Sequence, residues 1–191
     1  MLKIAELTVN RGSKTVLNSI NLQIHRGAGH ALVGPNGSGK TSLLLAALGV
    51  IPFDGEISRG FTSRSIGVIW QDRGLPLNVG VKSWLKYLAD IYQSPIDVKL
   101  VEQFGLTLDS RPIRSLSGGQ QQKVAIVSAF AHNPEMLILD EPTVGLDEKS
   151  RALFVNLCSE RISNGASILL TSHNRSDISE IATSITDLAS Y

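Results

Sequence analysis

The sequence predicts an α/β fold with a mainly parallel sheet, an N-terminal antiparallel β flap and a small inserted α-helical segment. Two short apolar runs, residues 136–139 and Ser167–Thr171, are typical of strands buried on both faces of a parallel sheet. Helical patterns alternate with these strands, which favours helices on both sides of the sheet. The opening residues 2–9 instead alternate apolar and polar side chains, which is typical of half-exposed strands.

Each element is predicted from its periodicity in chain order. Near-alternation predicts the first two strands, joined by the polar turn Arg11-Gly12-Ser13-Lys14. The predicted strands are residues 2–9, 20–24, 30–33, 65–69, 136–139 and Ser167–Thr171. The predicted helices are Lys40–Leu48, Val81–Tyr92, residues 97–104, residues 120–131, Glu148–Ser163 and residues 178–182.

The stretch from Asp72 to Ser117 differs in character from the rest, because Pro76, Pro95 and Pro112 separate two helix-like segments. We interpret it as a helical insertion in one domain. The predicted boundaries are residues 1–191 for the domain, 1–73 and 118–191 for its core, and 74–117 for the insertion.

Composition excludes several classes of protein. A length of 191 residues with 42% hydrophobic and 18% charged residues suits one packed domain and excludes a disordered chain. The net charge of +1 and an aromatic content of 5% argue against a nucleic-acid partner. One cysteine, Cys158, excludes an internal disulfide and fits a reducing compartment. The longest apolar stretch, residues 43–53, is too short to span a bilayer, so we expect a soluble chain.

Residues 34–41, GPNGSGKT, match the phosphate-loop pattern G-x-x-x-x-G-K-[ST] at every fixed position. The glycines let backbone N–H groups converge on phosphate oxygens, and the following helix N-terminus favours the same anion. In this pattern Lys40 reaches the β and γ phosphates and the Thr41 hydroxyl is a ligand for Mg²⁺. The alternative is a flexible glycine turn, but a strand before the loop and a helix after it favour phosphate binding.

Asp140 and Glu141 come directly after the predicted strand at residues 136–139. Ligands of open α/β sheets bind at the carboxyl ends of strands, where the phosphate loop also lies. Asp140 is therefore expected to hold the water shell of the metal, and Glu141 to orient and polarise an attacking water. An acidic pair after a strand is otherwise a helix cap or a solvated turn.

The sequence Leu116-Ser117-Gly118-Gly119-Gln120 precedes a predicted helix and is a second candidate anion site. The alternative is a glycine turn with a serine cap. One ATP does not need two such sites from one chain, whereas two chains that share two ATP molecules would use both.

With these motifs, the chain resembles the ATP-binding cassette family of ATPases. The matching motifs, in the order of the family, are GPNGSGKT at 34–41, Gln71 in IWQD, LSGGQ at 116–120, LILDEP at 137–142, GLD at 145–147 and His173 in TSH. The resemblance implies a P-loop NTPase core of the RecA-like type. It also implies a head-to-tail dimer with two ATP molecules between the subunits.

The resemblance assigns roles to individual residues. It implies the catalytic residues Glu141, His173, Gln71 and Lys40, and the Mg²⁺ ligands Thr41, Gln71 and Asp140. It implies nucleotide contacts from Gly34, Pro35, Asn36, Gly37, Ser38, Gly39, Lys40, Thr41, Ser42, Gln71, Ser117, Gly118, Gly119, Gln120 and Asp147. Ser117, Gly118 and Gly119 would contact the γ-phosphate held by Lys40 of the other subunit, and Asp147 would lie at the seam between subunits. The family usually has an aromatic residue that stacks on adenine where this chain has Asn10-Arg11-Gly12, and the Arg11 guanidinium is the candidate substitute.

The function expected from this resemblance is Mg²⁺-dependent ATP hydrolysis that powers transport through separate integral-membrane permease subunits. The chain would then lie in the cytoplasm, peripheral to the cytoplasmic face of a membrane. The apolar loop at residues 75–79 either contacts those subunits or packs in the insertion. Two alternatives stay open, a cassette ATPase acting on nucleic acid or ribosomes and a soluble scaffold for cofactor assembly.

Overall fold

The computed structural model describes residues 1–190, so position 191, the predicted end of the domain, lies outside the described residues. The strands are β1 Leu2–Arg11, β2 Lys14–Ile24, β3 Gly29–Val33, β4 Asp54–Arg59, β5 Ile66–Ile69, β6 Met136–Asp140, β7 Ser167–Thr171 and β8 Ser184–Asp187. The α-helices are α1 Lys40–Leu48, α2 Val81–Tyr92, α3 Val98–Gln103, α4 Gly118–Phe130, α5 Glu148–Ser163 and α6 Arg175–Ile181. None of the helices in residues 1–190 is both long and apolar enough to cross a membrane.

The larger sheet is parallel, with the order β5-β6-β7-β3-β8. Side chains of β6 alternate between two cores, since Leu137 and Leu139 pack on one face of the sheet and Met136 and Ile138 on the other. The first core includes side chains of α2 to α6, and the second includes those of α1, β1 and β2. Strands β6 and β7 are therefore buried on both faces of the sheet, as predicted.

The smaller sheet is antiparallel, with the order β2-β1-β4, and it confirms the predicted flap. Its hairpin closes at the pair Arg11 and Lys14. The prediction missed β4 and β8. In β4 Ile57 is the one apolar residue and the others are exposed, so the strand has no apolar alternation. β8 is an edge strand with the mixed sequence SITD.

The predicted boundaries are confirmed for some elements, and the largest difference is in β2, which begins at Lys14 rather than at residue 20. The bounds of α1, α2, α5 and β7 are those predicted. The predicted helix at residues 120–131 begins at Gly118, because the Ser117 side chain caps it two residues earlier than its apolar pattern starts. The helix predicted at 178–182 begins at Arg175, where Asn174 is the cap.

Parallel pairing brings four strand ends to one edge of the sheet. β3 ends beside the glycine-rich loop, β5 ends two residues before Gln71, β6 ends at Asp140, and β7 ends two residues before His173. Asp140 and Thr171 are register partners in neighbouring strands. Residues far apart in sequence are thus placed around one cleft.

The buried side chain of His30, on β3, predicts a pH dependence of stability. Its ring nitrogens contact the hydroxyls of Thr186 and Ser184 at 2.9 and 2.7 Å. Burial lowers the pKa of His30 from 6.5 to about 4, because the charged ring would lose its hydration. The unfolded chain therefore binds a proton at pH values where the folded chain does not. We expect this contribution to stability to be complete above pH 6.5 and to be lost as the pH falls toward about 4.

Urea unfolding of the wild type and of His30→Gln across this pH range measures the effect. The free energy of unfolding of the variant should fall less steeply with decreasing pH. His25→Gln, at an exposed position, is the matched control and should keep the wild-type slope. Equal slopes for the wild type and His30→Gln would contradict the prediction.

Candidate active site

A glycine-rich loop, residues 34–39, leads from β3 into α1 and lines a cleft of about 290 Å³. Gly39 has a φ of 96°, and a Cβ there would lie 2.5 Å from Leu17 Cδ2, so a larger residue does not fit. No side chain in the described range caps α1, and its first turn contains no acidic residue. The N–H groups of that turn and the helix dipole therefore favour an anion in the cleft.

Predicted site residues that follow several different strands line this cleft. Within the described residues, its lining consists of Val16, Asn36, Gly37, Gly39, Lys40, Thr41, Ser42, Gln71, Asp140, Glu141 and His173. Gly34, Pro35 and Ser38 belong to the loop but do not line the cleft. The Oγ of Ser38 is buried and has no hydrogen-bond partner in the part of the chain described here.

Lys40 folds back over its own loop. Its Nζ donates to the carbonyl oxygens of Gly34 at 2.8 Å and of Pro35 at 3.0 Å. These acceptors are neutral, so neither of them supplies a negative charge to pair with the ammonium beside the cleft. A phosphate group in the cleft would compete with the two carbonyls for the same donor.

Asp140 is buried and held at both carboxylate oxygens. Thr41 Oγ1 donates to Oδ2 at 2.8 Å, and Thr171 Oγ1 donates to Oδ1 at 2.7 Å. A hydroxyl and a carboxylate are the hard oxygen ligands that Mg²⁺ prefers. In residues 1–190 no group of three or more His, Cys, Asp or Glu side chains forms a metal cage. The Thr41 hydroxyl and the Asp140 carboxylate fit Mg²⁺, which usually binds through one or two protein oxygens together with phosphate and water.

Glu141 has a buried carboxylate, and one of its oxygens lacks a hydrogen-bond partner among the described residues. The backbone N–H of His173 donates to Oε2 at 3.2 Å, and the backbone N–H of Glu141 donates to Thr171 Oγ1 at 3.0 Å. Oε1 lies 3.3 Å from His173 Nε2, but it makes no well-oriented hydrogen bond with any described residue. This oxygen is an available acceptor at the cleft, which is what activation of a water molecule requires.

Gln71 and His173 are exposed at the cleft. Gln71 also lines a neighbouring surface cleft with Trp70 and Asp72. The side chain of His173 is 60% exposed, so it is accessible to a ligand while the backbone N–H of the same residue contacts Glu141.

The LSGGQ segment lies apart from this cleft. Ser117 and Gln120 form a reciprocal capping box at the start of α4, with distances of 2.9 and 3.2 Å between side chain and backbone. Ser117, Gly118 and Gln120 are exposed. None of residues 117–120 is among the described residues that line the Lys40 cleft. One chain therefore does not bring the two predicted anion sites together.

Asp147 also lies outside the cleft lining. It caps α5 by accepting from the Ser150 N–H at 2.8 Å, and it pairs with Lys123 Nζ at 2.9 Å. The hydrogen bond from Lys123 holds the pKa of Asp147 well below its usual range. The carboxylate therefore stays charged while it links α4 to α5.

Sequence reasoning missed three residues at or near the site. Val16 lines the cleft from β2, and Thr171 joins Asp140 to Glu141. Asp177 is buried and accepts from Thr143 Oγ1 at 2.7 Å and Arg151 Nε at 2.6 Å. The available signal was positional: a hydroxyl at the end of an apolar strand, and an acid four residues after His173.

Comparison with known proteins gives the family. The family model described as "ABC transporter" matches residues 17–144, which include the glycine-rich loop, Gln71, LSGGQ, Asp140 and Glu141. The chain belongs to the ABC transporter family. It is an ATPase of that family, and its predicted P-loop NTPase fold is confirmed by the solved structures that it resembles.

This ABC ATPase is similar to proteins of several transport systems. The zinc import ATP-binding protein ZnuC of Roseobacter denitrificans is 36% identical over 173 residues, which cover 87% of this chain and 67% of that protein. The cytochrome c biogenesis ATP-binding export protein CcmA of Cereibacter sphaeroides is 32% identical and covers 100% of this chain and 90% of that protein.

Among solved structures, an ATP-binding subunit of an ABC transporter superposes with a TM-score of 0.89 and 26% identity, covering 98% of this chain and 85% of that one. A dimeric ATP-binding cassette in a post-hydrolysis state, bound to ADP and phosphate, superposes with a TM-score of 0.80 and 24% identity, covering 93% and 90% of the two chains. The second likeness shows the shared fold.

Proposed function

We propose that this ATPase hydrolyses ATP with Mg²⁺ at sites shared between two ATP-binding subunits, and that it powers transport through separate membrane subunits. The observation that supports the shared site is the separation of the LSGGQ segment from the Lys40 cleft within one chain. The second subunit is either another copy of this chain or a related cassette. ATP would bind between the Lys40 cleft of one subunit and the LSGGQ segment of the other.

The first step is recognition of the triphosphate. Lys40 would exchange its two carbonyl partners for β- and γ-phosphate oxygens, while N–H groups of residues 36–41 hold the remaining oxygens. Bound Mg²⁺ would neutralise charge on the phosphates, with Thr41, Asp140 and Gln71 as its protein-side ligands or second-sphere partners.

The second step is activation of water. Glu141 Oε1 would accept a hydrogen bond from the attacking water, because this buried oxygen has no strong partner among the described residues. His173 would contact the γ-phosphate through its exposed imidazole, while its backbone N–H keeps the Glu141 carboxylate in place. These contacts position the water and compensate charge, which are the main contributions that a protein makes to phosphoryl transfer.

The second subunit would complete the site. Ser117, Gly118 and Gly119 lie at the N-terminus of α4, where the helix dipole favours the γ-phosphate. Asp147, held by Lys123, would lie at the seam between subunits. Loss of the γ-phosphate would remove the anion that both subunits bind and let them separate.

The coupling to transport is supported by the names of the relatives and by exposed apolar side chains in the loop after β5. The relatives include import and export ATP-binding proteins at similar identity, so ATP-driven transport is the property that they share. Leu77 and Val79, in the loop after β5, are 48% and 37% exposed. Apolar side chains exposed in this way suit contact with integral-membrane subunits at the cytoplasmic face of a membrane.

Glu141→Gln tests the catalytic carboxylate. The substitution keeps the shape of the side chain but removes the charge that activates water, so we expect ATP turnover to fall by about a hundredfold or more. ATP binding, measured by titration with a fluorescent analogue, should persist, and size-exclusion chromatography with ATP and Mg²⁺ should show a trapped dimer. Glu180→Gln, at an exposed position on α6, is the control and should hydrolyse ATP normally. Wild-type turnover in Glu141→Gln would rule out this role.

Mixing two inactive variants tests the shared site. Lys40→Ala removes the phosphate-binding ammonium of one site, and Ser117→Arg blocks the contribution of the other subunit. In a mixed dimer, the Lys40 of one variant and the Ser117 of the other form one intact site. We expect ATPase activity to appear on mixing and to be absent from each variant alone. A mixture as inactive as its components would count against sharing.

Co-purification from solubilised membranes tests the transport proposal. The tagged chain should recover a polytopic membrane protein, and Leu77→Asp should weaken this recovery without reducing ATP binding. Ile185→Asp, at a position that is 58% exposed on β8, is the matched control. Recovery of RNA, ribosomes or a soluble assembly factor in place of a membrane protein would favour the alternatives to transport.

A further inference from the structure

Thr171 is fully buried and contacts the two acidic residues of the candidate active site, through the carboxylate of Asp140 and the backbone N–H of Glu141. It is the last residue of β7 and is 0% exposed. Its backbone is in register with Asp140 on β6 and with Leu32 on β3. A β-branched residue suits this central strand, and valine would suit it equally well. The strand therefore does not explain the hydroxyl.

The hydroxyl of Thr171 makes two hydrogen bonds in opposite senses. It donates to Asp140 Oδ1 at 2.7 Å, since a carboxylate oxygen accepts. It accepts from the backbone N–H of Glu141 at 3.0 Å. A hydroxyl has one proton and two lone pairs, so both bonds form at the same time. Thr171 thus links the side chain of one acid to the backbone of the next.

The first of these hydrogen bonds fixes the Asp140 carboxylate, and the second fixes the backbone of Glu141. With Thr41 on Oδ2 and Thr171 on Oδ1, the Asp140 carboxylate is fixed in rotation. Glu141 has a φ of 50°, a conformation that few residues other than glycine adopt. Such a backbone persists when its surroundings hold it, and the bond from its N–H to Thr171 provides that hold.

We propose that Thr171 is a positioning residue for ATP hydrolysis, whose hydroxyl orients Asp140 toward the metal and fixes Glu141 toward the attacking water. This inference rests on the proposed function, because it takes the roles of both acids from it. Displacement of a reacting group by about 1 Å costs about a hundredfold in rate, so a single bridging hydroxyl has a large effect. Loss of a hydrogen-bond partner behind a metal ligand costs about 10- to 100-fold in metal affinity or activity.

Thr171→Val and Thr171→Ser in the full chain test the bridge. Valine keeps the branched shape and removes both bonds, so kcat should fall about 10- to 100-fold. Binding of Mn²⁺ together with a non-hydrolysable ATP analogue, measured by electron paramagnetic resonance, should weaken by a similar factor. Affinity for the fluorescent ATP analogue without metal should not change. Serine keeps the hydroxyl and should restore most of both losses.

Ser167→Ala is the matched control, because Ser167 is a buried hydroxyl on the same strand that donates to the His25 carbonyl at 3.0 Å. It should leave kcat and Mn²⁺ affinity unchanged. A thermal melting curve is measured for every variant to show that it folds. If the valine variant does not fold, Thr171→Ser and Thr171→Ala, which differ by the hydroxyl only, provide the same comparison.

Two results would overturn the proposal: wild-type kcat and Mn²⁺ affinity in Thr171→Val, or equal losses in the valine and serine variants, which would show that keeping the hydroxyl does not preserve function. Failure of the proposed function is distinguishable. If Glu141→Gln hydrolyses ATP normally, the assignment of the catalytic acid fails. The Mn²⁺ measurement, which needs no turnover, still decides whether Thr171 orients Asp140.

Discussion

Parallel pairing of the central strands is the constraint on which the rest of the structure depends. Strands that run in one direction end at one edge of the sheet, so the loops after β3, β5, β6 and β7 meet there. The chain crosses the sheet through helices between these loops, which is why residues more than a hundred positions apart share a cleft. A shift of register between β6 and β7 would separate Asp140 from Thr171.

The hydrogen bonds that hold Lys40, Asp140 and Glu141 in the cleft are made with neutral groups. Lys40 donates to backbone carbonyls, Asp140 accepts from the Thr41 and Thr171 hydroxyls, and Glu141 accepts from the backbone of His173. Neutral partners fix geometry without cancelling charge. The positive and negative sides of the site are therefore both available to a nucleotide and its metal, in a setting where burial strengthens electrostatic interactions.

Sequence reasoning predicted the parts of this molecule that follow local rules. The phosphate loop, the acids after β6 and the apolar strands have strong local patterns, and the structure confirms their elements. Strands β4 and β8 were missed because pairing at a sheet edge, rather than their own apolar pattern, makes them strands. Thr171 and Asp177 were missed because their importance comes from partners about 30 residues away in sequence. The assigned catalytic roles and the domain boundaries stay predictions.

The contact of Lys40 with the carbonyls of Gly34 and Pro35 has a consequence for selectivity. An anion that binds Lys40 must displace these two carbonyls. Its net binding free energy is therefore its own attraction for the ammonium minus the attraction that the carbonyls lose. A chloride or a single phosphate offers a small surplus, whereas the clustered charges of a triphosphate offer a large one. The loop thus contains its own competitor for the lysine, and a ligand that brings several phosphate oxygens to the ammonium is better able to displace the two carbonyls.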